Sequence, residues 1–130
     1  MAEIKNILVV DDFETVRVYL KDVLKGLGFD NIYESRSAEE ARVLISSQDD
    51  SGNPIDVVFA DWGLPGESGL DLLKSVRATD AHKETPFIMV TSQREKENVA
   101  EAMKEGCTHY VKKPFSDQDI EETIRLIQSK

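Results

Sequence analysis

Residues 7–12 read Ile7-Leu8-Val9-Val10-Asp11-Asp12: four branched apolar side chains in a row, then two carboxylates. An apolar run without polar alternation suits a strand covered on both faces, the situation in a parallel sheet. Three further runs have the same form. Val57-Val58-Phe59-Ala60 ends in Asp61, Phe87-Ile88-Met89-Val90 ends in Thr91, and Tyr110-Val111 ends in Lys112-Lys113-Pro114. A weaker segment, Ile32-Tyr33-Glu34-Ser35, alternates apolar and polar residues and suits an edge strand.

Helical periods fill the intervals. Val16, Leu20, Val23, Leu24 and Leu27 lie on one face of a helix, and Gly26 and Gly28 follow as stop signals. Ser37-x-x-Glu40 and Ser116-x-x-Asp119 have the form of helix starts, in which the serine hydroxyl accepts an orphan backbone N–H. The second leads into the stripe Ile120, Ile124 and Ile127. Its acidic first turns and the late Arg125 and Lys130 complement the helix dipole. Leu70, Leu72, Leu73 and Val76 mark another helix, and Val99, Ala102 and Met103 one more, closed by Gly106. Ser46 to Pro54 reads as an exposed loop. Strand and helix alternate five times, which predicts an α/β fold: a doubly wound parallel sheet with helices on both faces and right-handed crossovers.

Composition narrows the function. At 130 residues and 40% hydrophobic, the chain is expected to be a single domain, 1–130. A net charge of −9 argues against nucleic acid and against a polybasic membrane anchor, both of which need a positive field. One cysteine, Cys107, allows no intrachain disulfide, and no Cys/His spacing suits zinc. It reads as a small buried residue. The first residues, Met1 to Asn6, lack the apolar core of a secretory signal, and no apolar run reaches membrane-spanning length. The expectation is a soluble, cytoplasmic protein.

Parallel strands all end at one sheet edge, and ligands bind in the crevice there. Asp11, Asp12, Asp61, Thr91 and Lys113 should therefore meet. Three carboxylates in one crevice repel unless a proton or a cation sits among them. Oxygen donors without nitrogen or sulfur favour Mg²⁺, Mn²⁺ or Ca²⁺, and a magnesium ion held by few protein ligands stays open to phosphate oxygens. Thr91 and Lys113 are a neutral donor and a fixed positive charge suited to a phosphoryl group. Asp61, alone on its strand and followed by the turn Trp62-Gly63-Leu64-Pro65-Gly66, is the best candidate to accept one as an acyl phosphate. Taken singly, each residue has a plainer explanation: Asp11 and Asp12 as caps of the next helix, Asp61 as a turn residue, Thr91 as a cap, Lys113-Pro114 as a strand terminator, and Tyr110 as core. His82 and His109 stand apart from other ligands and are given no role.

The same residues carry a resemblance. Val10-Asp11-Asp12, Asp61-Trp62-Gly63-Leu64-Pro65 with Gly69, Val90-Thr91 and Tyr110-Val111-Lys112-Lys113-Pro114-Phe115 resemble the signature of the receiver domain of two-component response regulators. Asp11-Asp12-Phe13 with Thr15 and Arg17, Leu27-Gly28-Phe29 and Lys96-Glu97-Asn98 are similar to its stand-alone chemotaxis members in particular. The resemblance implies a flavodoxin-like sheet of five strands in the order 2-1-3-4-5 with five helices. It implies Asp61 as acceptor of a phosphoryl group from a histidine kinase, and Mg²⁺ held by Asp12, Asp61 and the carbonyl of Gly63, with Asp11 acting largely through water. Lys113, preceding a cis proline, would contact the phosphoryl group, while Thr91 and Tyr110 switch. The face of the fourth helix, last strand and last helix would change its affinity for a target, such as the flagellar motor switch, and a phosphatase would be a further partner. The protein is expected to be a monomer and a phosphoacceptor signalling protein, not an enzyme, although it would catalyse its own phosphorylation and dephosphorylation.

Lys112 and the charged helix from Glu95 to Glu105 differ from the chemotaxis pattern across the output face, and two positions beside the acceptor depart from it as well. Gly63 lacks a polar side chain, and Gln93 replaces an acid; both flank the phosphoryl group and bear on its lifetime. A single-domain phosphorelay intermediate or a receiver outside chemotaxis is the alternative. A metal-dependent phosphatase with an aspartate nucleophile is more remote, since Phe13 stands where the second aspartate would be needed. A flavin carrier is disfavoured because Asp11-Asp12-Phe13-Glu14 would repel the flavin phosphate.

Overall fold

The structure, a computed structural model, describes residues 3–92 and 96–129. Met1, Ala2, Gln93, Glu95 and Lys130, on which sequence expectations fall, lie outside them, as do the side chains of Lys96 and Glu97.

Five strands, β1 (Asn6–Val10), β2 (Asn31–Ser35), β3 (Val57–Ala60), β4 (Phe87–Thr91) and β5 (His109–Lys112), alternate with five helices. The helices are α1 (Glu14–Gly26), α2 (Ala38–Asp50), α3 (Gly69–Ala78), α4 (Lys96–Lys104) and α5 (Asp117–Gln128). The strands pair in parallel in the order β2-β1-β3-β4-β5, as the resemblance implied. Every residue of β1, β3 and β4 is buried, which explains why these runs are continuous in sequence. β2 lies at an edge with an exposed first residue, matching its alternation.

Because side chains alternate along a strand, the sheet divides the core in two. Leu8, Val10, Val58, Ala60 and Met89 pack with Ala41 and Ile45 of α2 and Leu72, Leu73 and Val76 of α3. Ile7, Val9, Phe59, Ile88 and Val111 face the other way, onto Leu20 and Leu24 of α1 and Ile120, Ile124 and Ile127 of α5.

Both serine starts form. Ser37 accepts from the Glu40 amide, and Ser116 with Asp119 makes a reciprocal capping box, as do Ser68 and Asp71 at the head of α3. Gly28, at φ 101°, follows α1 and donates to the Lys25 carbonyl, a left-handed position that favours glycine. Cys107 is buried, as expected.

The helix expected from Val99, Ala102 and Met103 forms as α4, with Ala102 fully buried and Met103 47% exposed. Two expectations need correction. Ser46 to Asp50 belongs to α2 and not to a loop, and the turn follows at Ser51 and Gly52. The polar run hid the helix, although Asp49 is held there by His82. His82 is not apart: its Nε2 lies 2.9 Å from each Asp49 carboxylate oxygen and its Nδ1 lies 2.8 Å from Thr85 Oγ1.

Candidate functional site

The carboxyl ends of β1, β3, β4 and β5 bring the candidates together. Asp11 and Asp61 are buried and Asp12 is exposed, yet each offers an oxygen within 4.8 Å of the others. Lys113 Nζ donates to Asp11 Oδ2 at 2.7 Å and to Asp61 Oδ2 at 3.1 Å. Its main-chain N–H donates to the Thr91 carbonyl at 3.0 Å, which ties the end of β5 to the end of β4, and the following Lys113–Pro114 bond is cis. Thr91 is buried at the last position of β4. Tyr110 is half-buried against the core on the α2 and α3 side.

The plainer account of Asp11 and Asp12 does not hold for α1. No side chain caps that helix; Asp11 Oδ1 instead accepts the Phe13 N–H at 2.9 Å, which turns its second oxygen toward Lys113. Asp61 Oδ1 accepts a longer bond, 3.4 Å, from Gly63. A side chain at Gly63 would meet nothing within 4 Å, so the position is open beside the acceptor.

The turn after Asp61 is set by Gly69. A Cβ there would lie 2.1 Å from the Asp61 carbonyl oxygen, and the Gly69 N–H donates to the Trp62 carbonyl at 2.8 Å. α3 can begin against the acceptor only because residue 69 has no side chain. Arg42 of α2 pairs with Glu67 in the same loop.

Electrostatics show the strain of packing these acids. Burial pushes the Asp11 carboxyl above the usual carboxylate range despite its bonds to Lys113 and Phe13. Burial alone would lower the Lys113 ammonium, but Asp11 and Asp61 outweigh it and hold the group above its ordinary value. The lysine is thus an internal counter-cation for an acidic pair. Three carboxylates with oxygens within 4.8 Å of one another, of which one faces solvent, form a hard-oxygen donor set of the kind that fits Mg²⁺. An apolar groove of about 550 Å³ opens beside Lys113, lined by Val16, Tyr19, Pro114 and Phe115.

Sequence reasoning gave no role to Arg17. It is buried, and its guanidinium donates to the Asp11 carbonyl at 2.7 Å and to Glu34 Oε1 at 3.1 Å. The signal was present: Arg17 stands one helical turn before Leu20 and two before Leu24, a charge on the buried stripe of α1.

Fold and site together define a doubly wound α/β module with a lysine-bridged acidic pocket at its switch point. Comparison with known proteins agrees. The response regulator receiver domain matches residues 7–125, and the chain belongs to that family of phosphorylatable signalling domains. It is 40% identical over 122 residues to the chemotaxis protein CheY of Pseudomonas aeruginosa, covering 94% of each chain. It is 36% identical to CheY-3 of Vibrio cholerae, covering 94% of this chain and 90% of that one. The solved structure of a CheY-like receiver domain protein from Methanospirillum hungatei aligns with a TM-score of 0.83 at 25% identity, over 96% of this chain and 94% of the other. Receiver domains generally bind Mg²⁺ at an acidic pocket, which here corresponds to the group Asp11, Asp12 and Asp61.

Proposed function

We propose that the protein is a single-domain, chemotaxis-type response regulator in which Asp61 accepts a phosphoryl group from a histidine kinase. The observation that carries this reading is the clustering of Asp11, Asp12 and Asp61 at one sheet edge, their oxygens within 4.8 Å of one another, with Lys113 joining two of them. In the transfer, an Asp61 oxygen forms a bond to phosphorus as the donor's phosphorus–nitrogen bond breaks. The departing imidazole keeps the electron pair and takes a proton from water. Asp11, Asp12, Asp61 and the Gly63 carbonyl would hold Mg²⁺, which supplies positive charge to phosphoryl oxygens. Lys113 exchanges its bond to Asp61 for one to a phosphoryl oxygen and keeps its bond to Asp11. Thr91, at the end of β4, donates its hydroxyl to another oxygen.

Tyr110 lies one strand away and responds by packing further inward, which shifts the population of the α4–β5–α5 face between two states. That face binds a downstream target, for which the flagellar motor switch is the proposed case, and a phosphatase resets the switch. The protein would act as a cytoplasmic monomer and as a phosphoacceptor, without turning over an external substrate. No helix among the described residues is long and apolar enough to cross a membrane.

Trp62 adjoins the acceptor, so its fluorescence should change with Mg²⁺ and again with a small-molecule phosphodonor. In Asp61→Asn the donor response should vanish while the fold persists. An undiminished response in that variant would refute the assignment of Asp61.

A further inference from the structure

We infer that Arg17 is a positioning residue for the acidic pocket: its guanidinium, anchored on Glu34 of β2, fixes the peptide group between Asp11 and Asp12. This rests on the proposal that these aspartates hold Mg²⁺.

Arg17 is 8% exposed and lies on the buried stripe of α1 with Leu20 and Leu24. Burying a guanidinium is unfavourable unless its donors are matched. Nη1 donates to the Asp11 carbonyl at 2.7 Å, and Nε donates to Glu34 Oε1 at 3.1 Å. Glu34 is in turn reached by Lys21 Nζ at 3.3 Å. The two cations outweigh burial and hold the Glu34 carboxyl below its ordinary range, so it remains an anion for Arg17.

The bonded carbonyl belongs to the peptide that joins two proposed ligands. The Asp11 N–H is held separately, by the Ser35 carbonyl at the end of β2 at 3.1 Å. The main chain of Asp11 is therefore pinned on both sides from β2, on one side directly and on the other through Arg17. Rotation of the 11–12 peptide would move both carboxylates at once, and the guanidinium opposes it. A lysine would bring the charge but not the planar fork that reaches a carbonyl and a carboxylate together.

Charge and position predict opposite outcomes. If Arg17 acted only as a nearby positive charge, removing it would strengthen cation binding. If it orients the ligands, removing it weakens binding, and outer-shell partners of metal ligands typically account for at least about tenfold in affinity.

The test is calorimetric titration of the full chain with Mg²⁺ alone, for the native protein, Arg17→Lys, Arg17→Met and Glu34→Gln, with thermal melts to establish folding. Both Arg17 variants should bind about tenfold more weakly, and Glu34→Gln should be weakened in the same direction. Native affinity in Arg17→Lys, or native or tighter binding in Arg17→Met, would overturn the inference. So would lowered melting temperatures with unchanged affinity, the mark of a purely structural residue. If Arg17→Met fails to fold, Arg17→Lys and Glu34→Gln decide. A folded native protein that takes up no Mg²⁺ would instead refute the metal-site reading, and this inference with it.

Discussion

Gly69 sits so close to Asp61 that a Cβ on it would lie 2.1 Å from the Asp61 carbonyl oxygen. The obstructing atom is backbone, so no side-chain rotation relieves the overlap. Gly69→Ala should therefore destabilise the protein by about 2 kcal/mol, the middle of the range for overpacking, after any gain in helix propensity of up to about 1 kcal/mol. Urea denaturation measures the loss. The displaced turn carries Asp61, so phosphoryl uptake from a small-molecule donor should fall as well, even where the variant is fully folded.

Lys113 neutralises two buried acids across a sequence separation of 102 and 52 residues. In Lys113→Met the ion pairs vanish and the carboxylates stay. Loss of one partner of a fully buried pair costs about 3–5 kcal/mol. The Lys113 side chain keeps 17% of its exposure, so a loss on the order of 2 kcal/mol is expected in metal-free protein. Mg²⁺ should restore much of it, because it supplies the missing positive charge. Denaturation curves with and without Mg²⁺ test this, and equal losses in both would contradict the pocket as described.

Asp11 sets a pH dependence whose sign follows from its raised carboxyl. The folded state favours the protonated acid because burial penalises the charge. Its contribution to stability is thus present below the ordinary value of 3.8 and is lost as pH rises through the higher folded value. Above that folded value the ionised carboxylate opposes folding. Asp11→Asn should accordingly melt higher than the native protein in metal-free buffer at neutral pH, with the advantage fading on acidification and gone below 3.8. Adding Mg²⁺ at neutral pH should stabilise the native protein more than the variant. Melting temperatures across the acid range, with and without Mg²⁺, check both signs.

What the sequence revealed was what local chemistry encodes. Continuous apolar runs marked the buried strands, and the polar residues after them marked the edge where Asp11, Asp61 and Lys113 meet. Contacts made at a distance left weaker traces. Arg17 stood out in the sequence only as part of a family-like motif, because its partner Glu34 lies 17 residues away. Asp49 lay in a polar stretch that read as a loop, and its contact with His82, 33 residues later, leaves no local trace.

His82 provides a prediction that separates stability from the site. Asp49 ends near the C-terminus of α2, and Thr85 precedes β4, so the trio lies at the edge where strands begin, opposite the acidic pocket. His82 is 3% exposed and borders a cavity of about 200 Å³ between α2 and α3. His82→Ala would enlarge that cavity and leave Asp49 and Thr85 without their shared partner. Cavity formation and lost hydrogen bonds together should destabilise the protein by roughly 3 kcal/mol. Its Mg²⁺ affinity should stay within about twofold of native, because additivity holds for sites that share no partners. Calorimetry and urea denaturation on the same preparation test both halves. A tenfold weaker Mg²⁺ affinity in a folded His82→Ala protein would show the two ends of the sheet to be coupled, since the direct contacts of His82 stay at its own edge.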